Sequence, residues 1–326
     1  MTAQASRVAV LGGTGWVGRH VCEVFARNGY DVVVVARNPV PHVCGNEFVP
    51  LDLATAAQGV IADFFGAGRF DVVVNATDAA NANDGWSRTE EQLYRSNVGL
   101  VHRIIAAMAS LPQSPRLVHF GTIFEYGPVA VGEPMHEFVP PKPVGAYART
   151  KLAGSAAVLD ACRAGTISGL VLRLVNVCGP HPSPASFPGK LLASLRSAVV
   201  NGGGVEVAIA AARRDFVDVR DVAEACFKAA ESATTGHAVN IGSGIAVELR
   251  ELVELFVATA GLPRTALEPR AEVVSSLGPD WTKADIRLAM ELLEWRPRIT
   301  LSESVRATWE DTVPEEVSSM WGNEVS

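Results

Sequence analysis

The first half of the chain alternates short, mostly apolar runs with longer stretches of helical periodicity. We predict strands at Val8–Leu11, Asp31–Ala36, Asp71–Asn75, Leu117–Phe120 and Leu170–Leu174. We predict helices at Val17–Asn28, Val60–Phe65, Glu90–Ser110 and Ala146–Arg163. Strands that are apolar without alternation are typical of parallel sheets, because helices cover both of their faces. The pattern therefore predicts an α/β fold with a doubly wound parallel sheet.

After Val177 the pattern becomes less regular. We predict an irregular, proline-rich loop formed by His181-Pro182-Ser183-Pro184 and Phe187-Pro188-Gly189. Shorter elements follow: a helix near Leu191–Val200, a strand near Val205–Ile209, and helices at Asp221–Ser232, Leu249–Ala260 and Trp281–Leu293. We predict that residues 1–177 form the α/β domain. Residues 178–326 then form mainly a smaller lobe that is interleaved with the sheet.

The composition narrows the class of protein. Of 326 residues, 48% are hydrophobic, which is typical of a globular chain and argues against disorder. The net charge is −7 and no long basic run occurs, so we predict no nucleic-acid partner. No stretch offers the roughly 18 apolar residues of a membrane span, and we expect a cytoplasmic protein. The cysteines are scattered and predict reduced thiols, with neither disulfides nor a metal site: Cys22, Cys44, Cys162, Cys178 and Cys226.

A glycine-rich segment follows the first predicted strand. It reads GGTGWVG over residues 12–18, with glycines at every third position. Between a strand and a helix, such glycines permit a tight turn, a close approach of the backbone to a pyrophosphate, and close packing of helix on strand. The helix N-terminus then supplies N–H groups to the anion. We predict a dinucleotide site, the alternative being a purely structural turn. Its predicted residues are Gly12, Thr14, Gly15, Trp16, Val17 and Gly18.

The end of the second predicted strand indicates which dinucleotide binds. An acidic residue there accepts hydrogen bonds from the ribose hydroxyls of NAD, but this chain has Ala36 followed by Arg37. Since an arginine can bind a 2′-phosphate that a carboxylate would repel, we predict NADP. The alternative is a solvated arginine at a strand end. Further predicted cofactor contacts, each also compatible with ordinary turn chemistry, are Asp52, Leu53, Asn75, Ala76 and Thr77.

Tyr147 and Lys151 form a Y-x-x-x-K pair on a predicted helix, where residues at i and i+4 share a face. A tyrosine in water has a pKa near 10, and a neighbouring ammonium favours the phenolate. Thr122, at the end of a predicted strand, can polarise a carbonyl oxygen while the phenol delivers or removes the proton. These three residues predict hydride transfer at a carbonyl carbon. We also predict that Tyr147 and Lys151 contact the cofactor, whose ribose the lysine can hold. Two unrelated surface residues are the alternative for the pair alone.

Together these motifs resemble the extended short-chain dehydrogenase/reductase family, which includes sugar-nucleotide epimerases, dehydratases and ketoreductases. The similarity continues through Asn97-Val98, Gly121–Gly127, Leu172–Pro180, Arg214–Val219, Asn240–Gly244 and Leu293–Pro297. The resemblance implies a Rossmann-type fold with a smaller C-terminal substrate-binding lobe, a homodimer, and a cofactor contact at Asn97. It also implies that Asn176 and Arg214 meet the diphosphate of a nucleotide sugar. A salt bridge from Arg214 to Asp215 or Asp218 is the alternative.

Departures from the family pattern narrow the reaction. The family's 4,6-dehydratases have two acidic residues after the threonine, where this chain has Ile123 and Phe124, and neither can move a proton. Members that epimerise C3 and C5 have a cysteine at the position of Phe124. Glu125 stands where the family usually has valine, and we interpret it as a carboxylate at the edge of a turn, with substrate contact as the alternative. The segment Leu277–Asp280 lacks the arginine that many members use to bind phosphate.

These observations favour an NADPH-dependent reductase of an NDP-4-keto-6-deoxysugar. An NAD-dependent 4-epimerase needs the same three catalytic residues and stays open. So do a reductase of non-nucleotide ketones and a non-catalytic NADP-sensing protein, since a fold does not dictate an activity. The sugar itself depends on the shape of three loops, at Ala79–Trp86, Glu133–Pro143 and Cys178–Pro188.

Overall fold

The computed structural model describes residues 5–40, 46–77, 88–269 and 278–311. Cys44, the loop Ala79–Trp86 and Leu277 lie outside these ranges. The strands are β1 (Arg7–Leu11), β2 (Asp31–Ala36), β3 (Glu47–Pro50), β4 (Val72–Asn75), β5 (Arg116–Thr122), β6 (Ser168–Leu174), β7 (Asn176–Cys178), β8 (Val205–Val207), β9 (Arg213–Asp218), β10 (His237–Ile241), β11 (Ala246–Glu248) and β12 (Leu267–Pro269). The helices are α1 (Trp16–Arg27), α2 (Gln58–Gly68), α3 (Glu90–Tyr94), α4 (Leu100–Ala109), α5 (Gly145–Arg163), α6 (Phe187–Asn201), α7 (Val219–Glu231), α8 (Leu249–Thr259), α9 (Arg287–Leu293) and α10 (Leu301–Glu310).

A seven-stranded parallel sheet forms the centre of the molecule, in the order β10-β6-β5-β4-β1-β2-β3. The predicted Rossmann-type α/β fold is therefore confirmed. Leu11 pairs with Val35 of β2 and with Asn75 of β4, so the carboxyl ends of these strands meet at one edge. Ligands of open α/β sheets bind outside that edge.

The two faces of the sheet bury separate apolar layers. Val10 of β1 packs in the layer that includes Phe25 of α1 and Val222 of α7. Its neighbour Leu11 packs in the opposite layer with residues of α2, α4 and α5, among them Ile104. Successive strand residues point to opposite faces, so a strand covered on both sides must be apolar throughout. Each such fully buried side chain contributes about 1.5–3 kcal/mol.

The second half of the chain contributes to the central sheet and also forms sheets of its own. The strand β10 pairs with β6 at one edge of the seven-stranded sheet, while β11, β9 and β7 form a separate sheet of three strands. A third apolar cluster lies here and includes Leu195, Phe216 and Phe256. The division at residues 177 and 178 stays a prediction.

Three sequence predictions of secondary structure were wrong. The helix predicted over Glu90–Ser110 is interrupted by a π-helical turn at Arg95–Gly99. The predicted loop at Phe187-Pro188-Gly189 is instead the first turn of α6, because the side chain of Ser186 caps the helix. The helix predicted from Trp281 begins only at Arg287, since Trp281 and Ala284 bridge to distant strands and loops. Long-range pairing overrode local periodicity in that segment.

Two further findings bear on the class of protein. Among the described residues, no helix is both long enough and apolar enough to pass through a bilayer. The four cysteines in the described ranges are free and buried.

Candidate active site

The segment of residues 12–18, the glycine loop, lies at the carboxyl end of β1. Gly12 adopts φ +79°, and a β-carbon there would lie 3.1 Å from the backbone of Ala76. A β-carbon at Gly18 would lie only 2.2 Å from the carbonyl oxygen of Gly12, so α1 can approach the turn only with glycine at that position. The loop is fixed by backbone bonds from Gly12 N to Val35 O (2.8 Å) and from Gly15 N to Gly12 O (2.9 Å). These contacts match the geometry predicted for a phosphate loop.

A cleft of about 630 Å³ opens beside the glycine loop. Most of the residues predicted for the cofactor line it: Gly12, Thr14, Gly15, Trp16, Val17, Arg37, Asp52, Leu53, Ala76 and Thr77. Arg37 is exposed at the rim, directly after β2. The cleft thus joins a backbone cradle suited to a pyrophosphate with a cation where the ribose of the adenosine would lie. The residues present fit a dinucleotide.

Other predicted cofactor residues support this wall from behind. Asn75 is buried; its side-chain oxygen accepts from the Thr77 hydroxyl at 2.6 Å, and its amide nitrogen lies 3.0 Å from Nδ1 of His119. Asn97 is buried as well, and its amide donates to Thr150. The indole of Trp16 donates to the carbonyl oxygen of Pro180 at 2.8 Å. That bond joins the glycine loop to the segment that follows β7.

The three predicted catalytic residues lie on neighbouring elements. Thr122 is the last residue of β5, and α5 carries Tyr147 and Lys151, which are 3% and 1% exposed. The ammonium of Lys151 donates to the carbonyl oxygen of Phe120 at 2.6 Å, two residues before the threonine. The helix is thereby tied to the strand that carries Thr122. The catalytic roles of the three stay a prediction, while the fold brings the strand end and the helix together.

The π-helical turn explains how α5 comes so close. A β-carbon at Gly154 would lie 2.1 Å from the carbonyl oxygen of Asn97, which belongs to that turn. One extra residue in the helical turn redirects the backbone, and a glycine on α5 leaves room for it. The hydroxyl of Thr150 accepts from the Asn97 amide and donates to carbonyl oxygens within α5. Sequence periodicity carried no sign of this interruption.

The segment of residues 121–127, the catalytic turn, corrects one prediction. Glu125 is wholly buried, so it is not an exposed carboxylate at the edge of a turn. Its Oε1 accepts from the Thr122 backbone at 3.0 Å and from the Ser155 hydroxyl at 2.8 Å, and its Oε2 accepts from Nε of Arg173 at 2.8 Å. A buried carboxylate requires such partners, because its desolvation is costly.

The network continues from the catalytic turn towards the C-terminal half. The guanidinium of Arg173 lies over the ring of Tyr126 at 4.5 Å, and the Tyr126 hydroxyl donates to the side chain of Asn240 at 2.9 Å. Burial raises the pKa of Tyr126 to about 12, so its phenol stays protonated. The Asn240 backbone in turn donates to Glu137, whose pKa is raised by burial. These residues were not predicted as a group, since each has its partner in a distant part of the sequence.

The two predicted diphosphate residues lie on neighbouring strands. Asn176 begins β7, and its amide donates to the backbone carbonyl of Asp215 in β9, next to Arg214. The guanidinium of Arg214 lies 5.8 Å from the ring centre of Phe124, in the catalytic turn. Burial lowers the pKa of this arginine, and the charge of Asp280 opposes that shift. The fold thus brings Asn176 and Arg214 near each other and Arg214 near the catalytic turn, and their diphosphate roles stay predictions.

Both carboxylates of the salt-bridge alternative for Arg214, Asp215 and Asp218, take part in other interactions. Asp215 is buried and accepts backbone bonds from Ser243, Gly244 and Ala284 at 2.8–3.0 Å, as well as a bond from the Ser243 hydroxyl. Asp218 caps α7 and pairs with Arg220 at 2.8 Å. Each of the two carboxylates therefore has other partners.

Comparison with known proteins agrees with this geometry. The model of the NAD dependent epimerase/dehydratase family matches residues 8–242. A dTDP-6-deoxy-L-talose 4-dehydrogenase (NAD(P)(+)) of Kitasatospora kifunensis is 37% identical over 306 residues, covering 93% of this chain and 95% of the relative. A UDP-glucose 4-epimerase of Rhizobium leguminosarum bv. trifolii is 28% identical over 330 residues, which cover 93% of this chain and 96% of that relative. In fold, the chain is similar to the structure of RMD from Pseudomonas aeruginosa complexed with NADPH. The TM-score is 0.80 at 23% sequence identity, and the match covers 94% of this chain and 98% of RMD.

Proposed function

This chain belongs to the NAD dependent epimerase/dehydratase family, and we propose that it is an NADPH-dependent reductase of the C4 keto group of a nucleotide-linked 4-keto-6-deoxysugar. The observation that carries the proposal is the catalytic turn, where Thr122 is followed by two buried apolar residues, Ile123 and Phe124, opposite the helix of Tyr147 and Lys151. The 37% identical relative is named a 4-dehydrogenase of a dTDP-linked 6-deoxysugar, and oxidation at C4 is the reverse of this reduction.

The residues of the site divide the work of carbonyl reduction. NADPH, when bound in the cleft, would supply the hydride that reduces C4. Thr122 donates a hydrogen bond to the carbonyl oxygen, and Tyr147 delivers the proton that the oxygen takes up. The ammonium of Lys151 stabilises the phenolate that remains, because opposite charges favour the ionised form. Arg214 and Asn176 hold the diphosphate, so that the sugar reaches the catalytic turn.

The apolar positions after Thr122 disfavour dehydration. Ile123 and Phe124 are 1% and 5% exposed, and neither side chain can accept or donate a proton. Elimination of water from the sugar needs an additional acid and base. Simple redox at C4 needs neither, which supports reduction over dehydration.

The direct test is turnover of a dTDP-linked 4-keto-6-deoxyhexose with NADPH, followed at the nicotinamide absorbance, with oxidation of dTDP-6-deoxy-L-talose by NADP⁺ as the reverse assay. We expect Tyr147→Phe to lower kcat by about 10²–10⁴-fold, the usual contribution of a general acid, and to leave NADPH affinity unchanged. Tight NADPH binding without turnover of any ketone would instead favour a sensor.

Cofactor choice has its own test. Arg37 lines the cleft after β2, and we propose that it binds the 2′-phosphate of NADPH. Arg37→Ala should weaken NADPH binding by about 10- to 100-fold, as expected for loss of a hydrogen bond between charged groups, while NADH affinity stays unchanged. The control is Arg264→Ala, which removes another exposed arginine, one that does not line the cleft. Equal weakening for both cofactors would contradict the NADP assignment.

The second candidate is a nucleotide-sugar 4-epimerase. It is supported by the 28% identical UDP-glucose 4-epimerase and by a catalytic set that serves both reactions. An epimerase would retain NAD through purification and interconvert UDP-glucose and UDP-galactose without consuming NADPH. We also propose a homodimer, as the family resemblance implies, which light scattering of the purified chain would test.

A further inference from the structure

The carboxylate of Glu125 joins two elements of the active site. Its Oε1 accepts from the backbone N–H of Thr122 at 3.0 Å and from the hydroxyl of Ser155 at 2.8 Å. The first donor is at the end of β5 and the second is on α5. A single oxygen atom therefore fixes the catalytic threonine against the helix that carries the other two catalytic residues.

Ser155 stands four residues after Lys151 and eight after Tyr147. Residues at these spacings lie on one face of a helix. The face that presents the phenol and the ammonium to the site is therefore the face held by Glu125. The bond from Lys151 to the Phe120 carbonyl oxygen forms a second tie between the same strand and helix.

The surroundings are shaped for this carboxylate. A β-carbon at Gly121 would lie 2.5 Å from Glu125 Oε1 and 3.0 Å from the Ser155 hydroxyl, so the glycine leaves the space in which the two meet. Arg173, also buried, supplies the opposite charge through Oε2. The ion pair keeps both lone-pair directions of Oε1 available for the two ties.

We propose that Glu125 is a positioning residue, which sets the distance and orientation between Thr122 and the Tyr147–Lys151 face of α5. It acts through the Thr122 backbone and through Ser155, and it does not touch the substrate. This inference rests on the proposed function, since it assigns a task within that catalytic site. A carboxylate that served stability alone would have no specific effect on the chemical step.

Two variants separate positioning from stability. Ser155→Ala removes the tie to α5 and leaves the Glu125–Arg173 ion pair in place. Glu125→Gln keeps an oxygen that can accept from Thr122 and Ser155, but it removes the charge that Arg173 requires. The matched control is Thr308→Val, which removes another buried helical hydroxyl, on α10 and outside both the catalytic turn and α5.

We expect Ser155→Ala to lower kcat by on the order of 10- to 100-fold, the usual effect of misplacing catalytic groups by about 1 Å, with little change in KM or in NADPH affinity. Because the chemical step is slowed, the primary isotope effect measured with nicotinamide-deuterated NADPH should rise. Glu125→Gln should lower kcat less than Ser155→Ala does, because its amide oxygen can still accept from Thr122 and Ser155, and it should lower the free energy of unfolding more. Thr308→Val should behave as wild type in kcat and isotope effect.

A readout without cofactor or substrate is hydrogen exchange at the Thr122 amide, which should quicken in Ser155→Ala and not in Thr308→Val. If the wild type reduces the 4-keto sugar and Ser155→Ala matches its kcat, isotope effect and exchange, the positioning role is rejected and the proposed function stands. The same comparison applies to UDP-glucose epimerisation if that is the activity found. A wild type that turns over neither substrate overturns the proposed function and this inference with it.

Discussion

The glycine loop and the catalytic turn lie at the same edge of one sheet, yet they are held in different ways. Backbone bonds fix the glycine loop, from Gly12 to Val35 of β2 and from Gly15 to Gly12, and the loop has no room for a side chain at Gly18. The catalytic turn is fixed by side chains, through Ser155, 30 residues beyond Glu125, and through Asn240, 114 residues beyond Tyr126.

The difference separates local from long-range determinants of a site. A backbone cradle depends on small residues at fixed spacing, which a sequence displays directly. A buried charge depends on partners that only the folded chain brings near, because burying a charge without a partner costs much free energy. The two regions should therefore respond differently to substitution, one mainly in cofactor affinity and the other mainly in stability and kcat.

The largest expected effect comes from breaking the ion pair behind the catalytic turn. Arg173→Met leaves the wholly buried Glu125 without its counter-charge and should lower the free energy of unfolding by about 3–5 kcal/mol. Urea denaturation followed by circular dichroism measures this. The double variant Glu125→Gln/Arg173→Met should recover most of the loss, since it removes the unpaired charge and keeps an oxygen that can accept from Thr122 and Ser155. A loss under about 1 kcal/mol in the single variant would mean that the pair does not hold the turn.

A smaller effect is expected from crowding the glycine loop. In Gly18→Ala the new methyl group meets the Gly12 carbonyl oxygen, and such overpacking costs about 1–3 kcal/mol. Because the displaced turn no longer matches the pyrophosphate, NADPH affinity measured by calorimetry should drop by about 10- to 100-fold. Gly59→Ala is the matched control. A β-carbon there meets nothing within 4 Å, and alanine should make the helix slightly more stable than glycine does. Unchanged NADPH affinity in Gly18→Ala would remove the loop from the cofactor site.

The smallest effect concerns His119, which supports the cofactor wall through Asn75. Burial, and then the charge of Lys151, lower the pKa of His119 well below its ordinary value, so the unfolded chain takes up a proton that the folded chain refuses. Stability from this group is present above about pH 6.5 and is lost as the pH falls below it. Between pH 7.5 and 5.5 the loss should be about 1 kcal/mol.

Urea denaturation at the two pH values checks the contribution of His119. Between pH 7.5 and 5.5, the free energy of unfolding of His119→Gln should fall by about 1 kcal/mol less than that of wild type. In His102→Gln, which changes an exposed histidine, the pH dependence should match that of wild type. Equal pH dependence in both variants and the wild type would contradict the assignment.

Much of the fold could be read from the sequence. The strands β1, β2 and β4 and the helix α5 lie within one or two residues of their predicted bounds, because apolar runs and helical periodicity report burial directly. The strand β9 and the extended segment near Trp281 were missed. Their conformation depends on pairing with each other and with β7, and this leaves no local period.

For the site, the sequence by itself determined the glycine loop, Arg37 after β2, and the spacing of Tyr147 and Lys151, since each depends on residue type at short range. Only the tertiary structure decided the surroundings of Glu125. A carboxylate in a turn predicts exposure, because an isolated charge is costly to bury. In the folded chain, Arg173 from a strand and Ser155 from a helix both bind this carboxylate. Glu125 is therefore buried and connects Thr122 to α5.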